Sequence, residues 1–363
     1  MRLSGAGKTL TALVFILVIL GLAMLSSAGI VEGQKKFDAP YHFFKHQLLY
    51  GALPGLALFL IASRINYKIW RKLALPILIC VIGLVVLIFI PGFGVTVKGA
   101  QRWVNLGDFS FQPAEFLKLA IILYLAAWFS RRDSHISGHW AYSVVPFLLV
   151  LGFVGLLLIL QPDIKTLALI TLISMSLYFF AGAKPAHIMI FFLAFGLVLA
   201  ALSLEPYRFN RIKTYLNPSV DQQGASYHIN QALLGVGSGG IFGLGYGQSK
   251  QKINYLPEPV GDSIFAVIVE EMGFVGGAVV LGLFLVLMLT LVKIANNARD
   301  QFAKLYVLGV AVWIIAQAFV NIGAILNLIP LTGVPLPFFS FGSSSLVAIL
   351  ASLGIATNMA RHG

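Results

Sequence analysis

Residues 263–292 read SIFAVIVEEMGFVGGAVVLGLFLVLMLTLV, with charge confined to Glu270 and Glu271. The run exceeds the about 20 apolar residues that cross a bilayer core of about 30 Å, so it reads as a transmembrane span. Outward from it, comparable runs lie near 9–29, 47–63, 73–91, 114–129, 142–160, 164–181, 186–203, 303–328 and 342–360. The expectation is an all-α, polytopic membrane protein of about ten transmembrane helices, organised as one domain over 1–363. The runs at 47–63 and 114–129 are short, which leaves nine spans as the alternative. Ser26, Ser27 and Ala28 form a small-residue stretch like a signal-cleavage site, but the apolar run before them is too long for a typical signal peptide.

Composition agrees. The 363 residues are 59% hydrophobic and 10% charged, against roughly 25% charged in a soluble domain. The formal charge of +12 would suggest nucleic acid in a soluble chain. Here Lys and Arg sit in short runs between apolar segments, so nucleic acid is excluded. Membrane lipids with anionic head groups, or a phosphorylated lipid, are the expected partners. Cys80 is the sole cysteine, so no disulfide forms within the chain. Arg64, Lys68, Arg71, Lys72, Arg131 and Arg132 fall between alternate spans, on the side of Arg2, Lys8 and Arg361. The opposite short loops carry only Lys35, Lys36, Lys45, Lys98 and Arg102. By the positive-inside rule both termini are cytoplasmic, and 204–262 is a large extracytoplasmic loop between the seventh and eighth spans.

Several motifs gather on that outer side. Segment 91–113 reads as a Gly-rich loop leading to Pro113, Glu115 and Lys118. Glu115 sits in a first helical turn, with Lys118 three residues on along the same face. The pair is either a buried structural ion pair or part of a polar cavity in which Lys118 meets a phosphate. Asp163, in the turn Gln161-Pro162-Asp163, reads as a helix cap. The glycines of 235–247, beside Lys250 and Lys252, either pack closely or offer N–H groups to phosphate. Pro257 and Pro259 are expected to hold the chain extended before Gly261, with Asp262 at the start of a helix. Asp262 is then either an N-cap or a proton-accepting carboxylate at the mouth of a membrane cavity, kept charged by the helix N-terminus. Glu270 lies about 12 Å further along the axis, so the two are no adjacent dyad. In 331–345, Pro335 and Pro337 fix an external turn, and Ser343 is a candidate cavity-lining residue.

These motifs, in this order over nearly the whole chain, resemble the shape, elongation, division and sporulation family, whose members include FtsW and RodA. Residues 245–252, GYGQSKQK, look more like the division member FtsW than the elongation member RodA. The resemblance implies a peptidoglycan glycosyltransferase of the bacterial cytoplasmic membrane. It would polymerise lipid II into β-1,4 glycan strands, releasing undecaprenyl diphosphate. Its implied partners are a class B penicillin-binding protein, the nascent strand and other divisome or elongasome proteins. The family's essential aspartate falls on Asp262, as general base toward the acceptor hydroxyl, and its helical Glu and Lys fall on Glu115 and Lys118. Arg102, Lys118, Arg208 and Lys252 are candidate diphosphate contacts. A divalent ion is the alternative for that task, although no ligand cluster is visible. Two positions depart from the family. Lys165 stands where Gly is frequent, and Val260-Gly261 where His-Thr is frequent. A lipid II flippase and a non-catalytic activator of the penicillin-binding protein are the rival readings.

Overall fold

Helices occupy the apolar runs in the computed structural model, which describes residues 5–97, 100–106, 109–131, 140–183, 225–253 and 255–362 with isolated positions between 189 and 215. They are α1 (Gly5–Ala28), α2 (Ile30–Phe37), α3 (His42–Arg64), α4 (Tyr67–Leu87), α5 (Pro113–Phe129), α6 (Trp140–Leu160), α7 (Ile164–Phe180), α8 (Ala225–Ser238), α9 (Ile264–Asn296), α10 (Gln301–Ile325) and α11 (Ser343–His362). Among the described residues, six helices are long and apolar enough to cross a membrane unaided. The protein is a multi-pass helical membrane protein. The run expected at 186–203 lies outside the described residues.

Local chemistry sets the helix starts. Asn66 accepts from the Lys68 N–H, Asp163 from Thr166 and Asp300 from Ala303, each replacing one bond that a helix N-terminus lacks. Pro113 opens α5, where its missing N–H is not needed. Helices α5, α10 and α11 form the centre and α4 lies at the edge. Small residues let α3 and α11 approach closely. A Cβ on Gly354 would stand 2.5 Å from the Phe59 carbonyl oxygen, and one on Gly55 3.3 Å from Val347 Cα. Lipid is as apolar as leucine, so this close packing holds the helices together where the hydrophobic effect does not.

Three features correct the sequence reading. Segment 91–113 is not a plain loop. It folds into an antiparallel sheet of β1 (Gly94–Val97), β2 (Ala100–Leu106) and β3 (Phe109–Phe111), with Val95 opposite Trp103 and Val104 opposite Phe111. Those β-branched and aromatic residues favour the pleat. The segment read as a long loop contains α8. Helix α9, 33 residues long, is interrupted at Gly273 (φ 69°, ψ −170°). The groups released there are taken up by the turn after α8: Leu244 and Gly245 donate to the Glu270 and Glu271 carbonyls, and Phe274 and Val275 donate to Gly240 and Ile241. Interrupted backbone in a span persists where other protein segments satisfy it in this way.

Candidate functional site

Asp262 stands in the turn that enters α9, and the turn is not extended. Glu258 adopts a left-handed φ of 50°, and its carbonyl accepts from the N–H groups of Gly261 and Ser263. The N-cap is Ser263, not Asp262. The buried Ser263 hydroxyl donates to the Pro257 carbonyl (2.8 Å) and lies 2.5 Å from His228 Nε2 on α8. Below, Asn321 on α10 donates from Nδ2 to both the Asp262 carbonyl and the Val334 carbonyl, each at 2.8 Å. The 331–341 segment closes the turn from the other side. Phe341 donates to the Val260 carbonyl and Ser340 Oγ to the Gly261 carbonyl.

The backbone around Asp262 is therefore tightly held, while one oxygen of its carboxyl is left without a partner among the described residues. Oδ1 is sealed from solvent and accepts no hydrogen bond from the described residues. Oδ2 lies 3.5 Å from where a Cβ on Gly333 would stand. Lys165, at the start of α7, donates from Nζ to the Gly333 carbonyl (2.8 Å). Burial pushes the Asp262 carboxyl above the ordinary carboxylate range. The charge of His228 opposes that rise, Glu258 reinforces it and Lys165 opposes it again. The charge-stabilising helix N-terminus expected from the sequence is outweighed by desolvation.

The expected Glu115–Lys118 pair is formed, at 2.8 Å, with both residues buried. Lys118 also donates to Gln317 Oε1 (3.1 Å) and lies over the Trp313 ring, 5.0 Å from its centroid. Gln317 accepts in addition from Trp313 Nε1 (2.9 Å) and donates to the Pro335 carbonyl (3.0 Å). The pair thus supports the 331–341 segment from beneath. The two parts of the site meet at this segment, whose Gly333, Val334 and Pro335 carbonyls accept from Lys165, Asn321 and Gln317.

The remaining described candidates make their bonds to groups other than Asp262. Lys252 is buried in a second cluster, bonded to Glu271 (2.6 Å), Ser27 Oγ (2.8 Å) and the Gly247 carbonyl (2.9 Å). Glu270 there accepts from Ser249 Oγ and from the N–H groups of Lys250 and Gln251. The glycine-rich segment packs closely, and its Gly239, Gly243, Leu244 and Gly245 amides bond to protein carbonyls. A Cβ on Gly239 would meet the Val269 carbonyl oxygen at 2.1 Å. Lys118 and Lys252 are buried, with their ammonium groups bonded to protein acceptors. Arg102 is half-buried and binds the turn of α7 through the Gln161 and Pro162 carbonyls. Ser343 faces His46 and Gln47 on α3. Arg208 lies outside the described residues. Asp163 caps α7, as expected. Among the described residues no three His, Cys, Asp or Glu side chains gather as a metal-binding group.

His228, Asn321, Gln317 and Trp313 were not singled out from the sequence. Trp313, Gln317 and Asn321 recur every four residues in one apolar run, which places them on a single helix face. Polar groups at that spacing inside a span signal a buried network.

The chain has clear relatives. The sequence model of a family described as cell cycle protein, FtsW/RodA/SpoVE, matches residues 8–363. Stage V sporulation protein E of Bacillus subtilis is 39% identical over 358 residues, covering 97% of this chain and 96% of that protein. A probable peptidoglycan glycosyltransferase FtsW of Geobacter sp. (strain M18) is 35% identical over 365 residues, covering 99% and 97%. Among solved structures, one chain comes from a study of how a peptidoglycan synthase complex coordinates polymerization and crosslinking. It superposes with a TM-score of 0.79 at 27% identity, covering 97% of each chain. The rod shape determining protein RodA of Thermus thermophilus gives 0.71 at 28% identity, covering 97% of this chain and 95% of that one.

Proposed function

The chain belongs to the FtsW/RodA/SpoVE family of cell cycle proteins, and from that premise we propose how it works as a peptidoglycan glycosyltransferase. The substrate is lipid II, and the product is a β-1,4 glycan strand with undecaprenyl diphosphate released. Asp262 takes the proton from the acceptor GlcNAc 4-hydroxyl as that oxygen attacks the donor sugar carbon, and the bond to the diphosphate breaks. The donor linkage is α and the product β, which a single inverting displacement satisfies. The observation that carries this reading is the Asp262 carboxyl. One of its oxygens is buried with no hydrogen-bond donor from the described residues, on a backbone fixed from three sides. A buried acceptor left unpaired costs about 1–3 kcal/mol, so the carboxylate gains by taking up a proton. Burial also brings the carboxyl closer to working pH, where a general base is most effective. Of the basic candidates described, Arg102 alone keeps a partly exposed guanidinium for the leaving diphosphate.

The working orientation puts Asp262 outside a bacterial cytoplasmic membrane, with both termini inside. The partner is a class B penicillin-binding protein. The similarity to a chain of a synthase complex that couples polymerization to crosslinking supports this. The test is glycan-strand synthesis from lipid II by purified wild type and Asp262→Asn, with partner pull-down alongside. Loss of strand synthesis by orders of magnitude with partner binding retained is expected. A variant polymerising at near wild-type rate would remove Asp262 as base and favour a flippase or activator role.

A further inference from the structure

The Ser263 hydroxyl has one proton, and the Pro257 carbonyl can only accept, so that proton goes to Pro257. The 2.5 Å contact between His228 Nε2 and Ser263 Oγ must then be donated by the imidazole. This fixes the N–H on Nε2 and makes His228 a donor on α8, anchored to the residue that follows Asp262. On the other side, Lys165 of α7 is anchored by its bond to the Gly333 carbonyl, beside Asp262 Oδ2. Two basic side chains from separate helices are thus tied to the immediate neighbours of one carboxylate with a buried, unpaired oxygen. Glu258 contributes the one like charge from the turn itself, and α10 contributes the neutral Asn321 amide.

We infer that His228 and Lys165 are positioning residues that hold Asp262 in its proton-accepting form, opposed by Glu258. The inference rests on the reading of Asp262 as general base. It explains how a partly desolvated carboxylate is kept ionisable, since desolvation alone favours its neutral form. The directions of the three charges at Asp262 agree with the arrangement: His228 and Lys165 favour ionisation and Glu258 disfavours it.

The experiment measures initial rates of strand synthesis from lipid II across pH, for full-length wild type, His228→Gln, Lys165→Gln and Glu258→Gln. Each Gln keeps an amide that can hydrogen-bond, while removing the charge. A base that must be ionised makes the rate fall on the acid side. His228→Gln and Lys165→Gln are expected to move that acid limb to higher pH. Relative to each variant's own plateau, the rate on the limb drops by roughly threefold or more, the effect of half a unit. Glu258→Gln is expected to move the limb the opposite way. If the limb stays in place for His228→Gln and Lys165→Gln, the inference is wrong. If all three variants shift alike, loosening of the turn is the cause and the inference is again wrong. If wild type has no acid limb, or Asp262→Asn remains active, the base reading itself has failed and the inference falls with it.

Discussion

Burial holds the Asp262 carboxyl above the usual carboxylate range, ahead of the opposing charges of His228 and Lys165. In the unfolded chain an aspartate titrates near 4 (about 3.9). Its contribution to stability is therefore fully present below that value and is lost as pH rises through the native value. Asp262→Asn, which carries no charge, should melt at or above the wild-type temperature at neutral pH. The difference should shrink toward zero below about pH 4. Thermal unfolding in detergent between those limits checks it, and a lower melting temperature for the variant at neutral pH would contradict the account. Lys118 makes the opposite case. It is buried among Glu115, Gln317 and Trp313, so Lys118→Ala leaves a buried carboxylate unpaired and should cost about 3–5 kcal/mol. Removing both charges in Glu115→Gln with Lys118→Met should recover part of that loss. Full stability with lost activity in Lys118→Ala would instead point to direct phosphate contact. The pair itself was legible in the sequence, because spacing of three puts both residues on one face. Its partner Gln317 was not, because it stands 199 positions away and only tertiary packing brings it in.

The interrupted helix α9 shows the same limit for a whole element. Residues 263–292 read as one continuous span because hydropathy reports apolarity and not backbone conformation. The interruption depends on Gly273, whose φ of 69° suits glycine and whose Cβ, if added, would meet the Ile241 carbonyl oxygen at 2.3 Å and the Gly243 nitrogen at 2.4 Å. Gly273→Ala should therefore destabilise by at least about 1–3 kcal/mol from backbone strain alone. Gly282, in the same helix, has nothing within 4 Å of a built Cβ, so Gly282→Ala should be neutral or slightly stabilising. Equal melting temperatures for the two variants would refute this account of the interruption. The helix α8 and the sheet β1–β3 escaped the sequence reading for a related cause. Glycines at 92, 94, 99 and 107 and at 235–247 read as loop punctuation. Some of these glycines instead let neighbouring backbone approach closely, as Gly94 does against the Ile88 carbonyl oxygen and the Gln101 side chain.

At the scale of the whole molecule, α9 and α10 fix which parts share a face. Helix α9 starts beside Asp262 and runs to Asn296, and α10 returns from Gln301 to Ile325, beside the 331–341 segment. Helix α2, with exposed Lys35, lies on the Asp262 side, lining a cleft with Pro257, Glu258 and Pro259. Exposed Lys304, in the first turn of α10, lies at the opposite end. The spans were legible because each needs only apolar length, and which face is outside rests on the Lys and Arg asymmetry alone. A labelling experiment decides it. Cys80, on the surface of α4, is first replaced in Cys80→Ala, so that the introduced cysteine is the only thiol. In that background Lys35→Cys should react with a membrane-impermeant thiol reagent on intact cells, and Lys304→Cys only after lysis. The proposed polymerase takes its lipid-linked sugars from the outer leaflet, so an outward-facing Asp262 is a requirement of that reading. The reverse labelling pattern would place Asp262 in the cytoplasm and overturn that reading, however well the carboxylate is built for proton transfer.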